Sequence, residues 1–233
     1  YYPRFAGDEL SPSPEATAVA LADRLDTLVG IFGIGEPPTG SKDPFALRRA
    51  SLAVIRMLIN LEKPLSLTEL LQAVVEQYTA DLSPDTPDVV SHYITERLGN
   101  WYDDDGIHIS VVRAALAAGA TDLFDIDLRV RALNAFAKTE TAEHLAAANK
   151  RVANILAKAD NLDGTPADPN LFVHEAEHAL HEAISRVGST LAPLLADRNY
   201  QSALDELAQF RGPVEAFFDG VMVNAEDPAK RLN

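Results

Sequence analysis

The sequence predicts an all-α fold, a multi-helix bundle, on three observations. Apolar residues recur at helical spacing in one segment after another along the chain. Residues that cap or break helices, namely Asp, Ser, Gly and Pro, stand at the ends of these segments. No run of residues alternates between apolar and polar as a half-buried strand does, and no internal repeat is present.

The first two helices are predicted on either side of a loop. The first covers Ala16–Leu28 and ends at Gly30, and the Gly- and Pro-rich residues 33–40 that follow predict a loop and a domain boundary. The second is predicted over Pro44–Leu61, because Asp43 can cap its first turn and proline is favoured at the first helical position.

Eight further helices follow on the same signals. Ser66 and Glu69 form a capping box for a third helix that ends near Ala80, and Pro84 and Pro87 then break the chain. The remaining helices are predicted from apolar spacing between polar turns, over Val89–Trp101, Ser110–Ala118, Asp125–Lys138, Thr141–Ala159, Leu171–Leu195, Tyr200–Phe210 and Pro213–Val223.

The composition excludes several classes of protein. Apolar residues make up 47% of the 233 residues, which is enough for a hydrophobic core, and no apolar run reaches the ~18 residues of a membrane span. The absence of cysteine excludes disulfide scaffolds, thiolate zinc sites and cysteine nucleophiles, and it predicts a cytoplasmic protein. Without an initiator Met or a signal-like start, the chain is expected to be an internal fragment or a processed product.

Positive charge is concentrated in one segment of this acidic chain. The chain has 20 Lys and Arg against 35 Asp and Glu, a net charge of −15, yet residues 129–160 carry six cations and three carboxylates. Residues 1–80 have a net charge of −3, residues 81–128 of −8 and residues 161–233 of −7. A polyanion is therefore directed to the basic segment if it binds at all.

The basic segment carries a row of polar side chains suited to RNA. Lys150, Asn154 and Lys158 are spaced by four residues and share one helix face, which Asn149 and Arg151 flank. Cations neutralise phosphates, and an amide can pair with a base edge in a single-stranded loop. The alternative is an ordinary solvated helix face. In both cases the core-facing side is predicted to consist of Val152, Ile155, Leu156 and Ala159.

A metalloprotease-like motif lies farther along the chain. The spacing of His174, Glu175 and His178 is that of H-E-x-x-H, in which two histidines bind zinc and the glutamate is the general base. Glu177 places a charge inside the motif, His181 and its neighbours do not extend it, and no third ligand stands out. An amphipathic surface helix is favoured, with no metal site, and its buried residues are predicted to be Ala176, Leu180, Ala183 and Ile184.

Several blocks in chain order resemble one protein family. The blocks are YPRFAGD at 2–8, ALADRLDTLVGIFGIG at 20–35, PTGSKDPFALRRA at 38–50, WY at 101–102, FD at 124–125, AAANKRVANIL at 146–156 and PVEAFFDGVMV at 213–223. They are similar to the C-terminal third of the bacterial glycyl-tRNA synthetase β subunit. The histidine motif lies outside these blocks, which weighs further against a peptidase.

The resemblance implies a domain organisation. Residues 1–40 resemble the tail of an HD-like domain, and residues 41–233 resemble a helical body with a DALR-type anticodon-binding domain. The segment from Asp43 to Arg48 is similar to the D-A-L-R start of such domains, with two residues inserted.

The resemblance also implies a function. The family joins glycine to its tRNA as an α2β2 assembly with the ATP and glycine site on the α subunit. This chain is then expected to bind the anticodon arm of glycine tRNA and to contact the α subunit. It is expected to contain no catalytic residues and no cofactor, with ATP and Mg on the α subunit, and to bind neither DNA nor membrane.

The candidate site has two tiers and two rivals. The residues expected to contact tRNA are Asn149, Lys150, Arg151, Asn154 and Lys158. A second tier of tRNA contacts is expected at Lys42, Arg48 and Arg49. The rival functions are a helical zinc hydrolase that uses His174, Glu175 and His178, and a helical module that only holds subunits together.

Overall fold

Helices make up the fold, and the predicted all-α class is confirmed. The structure is a computed structural model that describes residues 8–40, 42–157 and 167–221. Over those residues, extended structure is limited to two isolated bridges. The helices are α1 (Pro14–Gly33), α2 (Leu47–Leu61), α3 (Leu67–Val75), α4 (Thr86–Thr95), α5 (Leu98–Asp103), α6 (Ile109–Ala117), α7 (Leu123–Phe136), α8 (Glu140–Leu156), α9 (Glu175–Ala196), α10 (Tyr200–Ala208) and α11 (Arg211–Gly220), with a 3₁₀ turn at Pro169–Leu171. No helix in these ranges is long and apolar enough to cross a membrane.

The chain divides into two compact units between Val130 and Arg131. In the first unit, α1 packs against α2, α3 and α4, so the helix before residue 40 shares its packing with the helices that follow. The division does not coincide with the boundary predicted after residue 40. That boundary concerned the family's domains, and it stays a prediction.

The start of α1 shows strong local signals, and its end lies beyond the predicted one. The Ser13 hydroxyl accepts a hydrogen bond from the Ala16 N–H at 3.3 Å, and Pro14 occupies the first helical position. The helix continues to Gly33 instead of ending at Gly30, because Phe32 is buried on the same face as Leu28 and Val29. Burial therefore outweighs the low helix propensity of glycine at this end.

A turn delays the start of α2 by three residues. The Ala46 N–H donates to the Asp43 carbonyl at 3.2 Å, which closes a turn with Pro44 and Phe45 at its centre. Asp43 caps the helix as predicted, but from the first position of this turn: its two carboxylate oxygens accept from the N–H groups of Leu47 and Arg48 at 2.8 and 3.0 Å. Ala46 between them is left-handed, at φ 55°.

Two tyrosines of the first unit hold carboxylates in different environments. The Tyr102 hydroxyl donates to Asp127 Oδ1 at 2.8 Å, and both residues are buried. The Tyr78 hydroxyl donates to Asp26 Oδ1 at 2.9 Å at the surface. Partial burial, together with this hydrogen bond and the charge of Asp26, raises the pKa of Tyr78 to about 12. Besides Tyr102, the largest fully buried side chains include Leu28, Leu47, Ile55, Met57, Leu58, Leu67, Leu71, Ile94, Leu98, Leu123 and Ile126.

The second unit has a much thinner core. Helix α9 packs against α10 and α11, and α8 packs against α10 and α11. The buried apolar residues in its described part are Ala132, Ala183, Val187, Tyr200 and Ala203. Helix α8 contributes no buried residue.

Two predicted core faces of the second unit are wrong in part. Val152 and Leu156 are 38% and 47% exposed, because α8 is covered too little for its apolar side to be enclosed. On α9 Ala183 is buried as predicted, whereas Ile184 is 54% exposed. Ala159 lies outside the described residues.

Candidate nucleic-acid interface

Helix α8 presents the predicted basic face from a well-capped segment. The Thr139 hydroxyl accepts a hydrogen bond from the Ala142 N–H at 3.2 Å, and Glu140 and Glu143 lie in the first turn, where carboxylates interact well with the helix dipole. The acidic end and the basic segment are thus separated along one helix. A polyanion is attracted to the C-terminal half of α8 and repelled by its start.

Three of the predicted contact residues are exposed, and their side chains have no partner among the described residues. Asn149, Lys150 and Asn154 lie on the exposed part of α8, and their side chains make no hydrogen bond or ion pair with any described residue. Interaction with the helix dipole does not explain why Lys150 is present on α8. That interaction is confined to the last turn of a helix, and the last turn of α8 holds no cation. Lys158, the fifth predicted contact, lies outside the described residues.

Arg151 is exposed but packs on an aromatic ring. Its guanidinium carbon lies 4.0 Å from the centre of the Phe218 ring, which belongs to α11, and Phe218 in turn meets Phe217 edge to face at 5.6 Å. A guanidinium stacked in this way keeps its N–H donors free at the rim while its face is covered. The sequence reasoning missed Phe218, although the aromatic pair lies inside the block at 213–223.

A polar cluster joins the start of α8 to α11. The ring nitrogens of His144 lie 3.4 Å from Glu140 Oε1 and 3.3 Å from Glu215 Oε1, and Arg211 Nε donates to Glu215 at 3.2 Å. Such exposed pairs contribute only about 0–1 kcal/mol each. Together with the Arg151 stack, they fix which face of α8 is turned to α11 and which face is left to solvent.

The second-tier residues lie in the first unit, and they differ in whether their side chains are already hydrogen-bonded. The Arg48 guanidinium donates to the Gly40 carbonyl, so this side chain holds the loop before α2. Lys42 and Arg49 are exposed, and their side chains have no partner in the described part of the chain. Lys42 is fixed through its backbone, which exchanges two hydrogen bonds with Thr39 at 3.1 and 2.8 Å.

Residues of the histidine motif form the N-terminal cap of α9. The His174 backbone is extended, at φ −104° and ψ 142°, and α9 begins only at the next residue. Glu177 accepts from the backbone N–H groups of Val173 and His174, both at 2.7 Å. Burial acts in the opposite direction, but these bonds lower the pKa of Glu177 below its ordinary value. The charge inside the motif therefore has a structural role.

The other histidines of the motif pack on an aromatic side chain. The Phe172 ring meets the rings of His178 and His181 edge to face, at centroid distances of 5.1 and 5.4 Å. In the described residues, no three His, Asp or Glu side chains come together as a metal site would require. The zinc hypothesis gains no third ligand from this geometry.

Comparison with known proteins identifies both parts of the chain. The family model of the glycyl-tRNA synthetase beta subunit matches residues 1–117, and that of the DALR anticodon binding domain matches residues 145–233. The second match includes α8 from residue 145 onward and all five first-tier residues. The D-A-L-R-like segment from Asp43 to Arg48 lies outside it, so that local similarity does not mark the start of the DALR domain.

Close relatives agree over the whole length of the chain. It is 49% identical over 236 residues to the glycine–tRNA ligase beta subunit of Haemophilus influenzae (strain PittGG) and 49% identical over 234 residues to that of Actinobacillus pleuropneumoniae serotype 7 (strain AP76). The identity is 46% over 234 residues for that of Pseudomonas fluorescens (strain SBW25). Each match covers all of this chain and 34% of the relative, in its C-terminal third. The resemblance predicted from the sequence is confirmed, and the chain belongs to the glycyl-tRNA synthetase beta subunit family.

Proposed function

We propose that this chain is the tRNA-binding part of a glycine–tRNA ligase β subunit and that its second unit holds the anticodon arm of glycine tRNA. The observation that carries the proposal is the position of Asn149, Lys150 and Asn154. They are exposed, have no partner in the described part of the chain, and lie within the residues that match the DALR anticodon binding domain. This combination supports a polyanionic ligand whose phosphates are neutralised by the lysine and whose base edges are recognised by the asparagines.

Each side chain of the face has a distinct task. Lys150 is a mobile point charge and neutralises a phosphate. Asn154 offers an amide donor and an acceptor one turn away, which suits the edge of an unpaired base. Arg151, stacked on Phe218, presents fixed donors to a phosphate or a base. Lys158 continues the row in sequence.

The chemistry of aminoacylation is assigned elsewhere in the assembly. We propose that the chain acts within a cytoplasmic α2β2 enzyme, in which the α subunit binds ATP, Mg and glycine and this part of the β subunit binds tRNA without a cofactor of its own. Lys42, Arg48 and Arg49 remain second-tier candidates for tRNA contact. The rival is a module that only holds subunits together.

The test is a salt series of tRNA affinity with the assembled enzyme. Lys150→Ala should weaken binding of glycine tRNA and lower the slope of log K against log salt by roughly 0.7 to 0.9, the contribution of one phosphate contact. Lys63→Ala is the control, because it removes the same charge from an exposed position outside the DALR match. Equal slopes for the parent and Lys150→Ala would contradict the assignment.

Asn154 tests recognition separately from charge. Asn154→Ala should leave the salt slope unchanged and reduce the preference for glycine tRNA over a tRNA with a swapped anticodon, because an amide reads base edges. The variant should remain folded, since alanine is favourable at an exposed helical position. If both variants bind both tRNAs as the parent does while sedimentation shows a weakened α2β2 assembly, the rival interaction module is correct.

A further inference from the structure

The turn before α2 holds an aromatic side chain out toward solvent. Phe45 lies at the centre of the turn closed by the Ala46–Asp43 hydrogen bond, and its side chain is 50% exposed. Transfer of a phenyl ring from water into an apolar contact is favourable, and most so when burial is complete. A half-exposed phenylalanine therefore leaves a considerable part of this free energy unused in the structure described.

The turn is fixed from both sides. The carboxylate of Asp43 accepts hydrogen bonds from the backbone N–H groups of Leu47 and Arg48, and the Arg48 side chain bonds to the Gly40 carbonyl. Ala46 is held at φ 55°, a left-handed conformation that is unfavourable for a residue other than glycine. These restraints predefine the position of Phe45, so little conformational entropy is lost when the ring meets a ligand.

Unpartnered cations flank Phe45 in the sequence. Lys42 precedes Phe45 by three residues and Arg49 follows it by four; both are exposed, and their side chains have no partner in the described residues. Residues 37–61 carry four cations and one carboxylate, a net charge of +3 that the acidic total of residues 1–80 conceals. The one carboxylate, Asp43, is engaged by two N–H groups.

A short exposed segment that carries an aromatic ring and cations suits the binding of unpaired nucleotides. Bases stack on the ring, and Lys and Arg follow the phosphates on either side. An acidic protein surface would satisfy the cations but would leave the exposed ring in contact with charged groups. A hydrophobic protein surface would cover the ring but would bury Lys42 and Arg49 without partners.

We propose that Phe45, Lys42 and Arg49 form a second RNA contact, in which Phe45 stacks on an unpaired base of the same tRNA. The inference rests on the proposed function and extends it to the first unit, outside the DALR match. It assigns a recognition role to an aromatic residue, where the charge pattern alone indicates only phosphate contacts.

The test compares charge and stacking variants of the complete β subunit assembled with its α subunit, with glycine tRNA as the probe. Phe45→Ala should weaken binding by about tenfold or more with an unchanged salt slope, because stacking is lost and no charge is removed. Arg49→Ala should weaken binding and lower the slope. Phe45→Trp should retain the affinity of the parent, and Phe45→Leu should not, although both are apolar. Val89→Ala, which also shortens an exposed apolar side chain of the first unit, is the control and should bind normally.

The outcomes separate this inference from the proposed function. If Phe45→Ala binds tRNA as the parent does while Lys150→Ala binds weakly, the second contact is refuted and the proposed function stands. If the Phe45 variant instead loses α subunit in sedimentation, or unfolds at a lower temperature with normal tRNA affinity, the ring packs on protein and the inference is wrong. If the parent itself does not bind the tRNA, the proposed function fails first.

Discussion

Replacement of Tyr102 by phenylalanine should destabilise the first unit through loss of the hydrogen bond from its hydroxyl to Asp127. The Tyr102 hydroxyl donates to Asp127 at 2.8 Å, and the two residues are 0% and 6% exposed. Phenylalanine keeps the ring and its packing, so the change removes the donor without a large cavity. Water has little access to the site and cannot replace the hydroxyl cheaply.

The expected cost follows from burial and from the charge of the acceptor. A hydrogen bond to a charged group contributes about 1.5–3 kcal/mol, and the upper part of the range applies where the carboxylate is buried. With a urea m-value of about 2 kcal/mol/M, a loss of about 2.5 kcal/mol lowers the midpoint by roughly 1.2 M. The m-value should not change, because the surface exposed on unfolding is the same.

The assay is urea unfolding followed by tryptophan fluorescence. Trp101, the single tryptophan of the chain, is next to Tyr102 in α5 and therefore reports on the first unit. Tyr78→Phe is the matched control, because it also removes a hydroxyl that donates to a carboxylate, that of Asp26, but at the surface. Its cost should lie near 0.5–1 kcal/mol.

The comparison of the two tyrosines decides the outcome. If Tyr102→Phe shifts the midpoint no more than Tyr78→Phe does, burial adds nothing to the hydrogen bond and the reasoning is refuted. A double-mutant cycle with Asp127→Asn then measures the coupling directly, and a coupling energy near zero would refute it a second time.

Three further outcomes are expected. Gly33→Ala should destabilise the chain by about 1–3 kcal/mol in thermal unfolding, because the new Cβ would lie 2.8, 3.0 and 3.1 Å from three atoms of Leu82. A Cβ at Gly188 on α9 would meet nothing within 4 Å, so Gly188→Ala should stabilise the chain by up to about 1 kcal/mol. Equal effects of the two substitutions would contradict this. The pKa of Tyr78 rises from 10.0 to about 12 on folding. The stability that this tyrosine contributes is therefore complete below pH 10 and lost as the pH rises through 12. In urea titrations at each pH, a Tyr78→Phe variant should lose less stability over that interval than the parent does. Elemental analysis of the purified chain should show no stoichiometric zinc, and one tightly bound zinc per chain that disappears in His178→Ala would reverse the assignment of the histidine motif.

The helical class and most helix starts follow from local signals, while helix limits depend on packing. Asp43 caps α2 as its sequence predicts, but the turn through Pro44 moves the first helical residue to Leu47. Gly30 is not the end of α1, because the Phe32 side chain after it is buried and continues the packing. Local sequence defines a cap well, and it defines the length of a helix poorly because distant residues supply the packing.

The candidate site was predicted in part. The exposed positions of Lys150 and Asn154 agree with their spacing, but Val152 and Leu156 were assigned to a core that the second unit does not form around α8. Periodicity shows which residues share a face, and it carries no information on whether another helix covers that face. The partner of Arg151, the Phe218 ring, lies far along the chain and could not be paired with it from spacing alone.

The thin core of the second unit has a consequence for the timescale of its motions. Amides in elements with few buried apolar contacts exchange with solvent through local openings of low free energy, well below the free energy of global unfolding. Helices α8 to α11 should therefore exchange faster than α2, α4 and α5. A ligand that spans several of these helices closes the openings together, so part of its binding free energy is spent on ordering the unit. Affinity at this surface will then respond to substitutions that loosen the helices as well as to those that remove a contact.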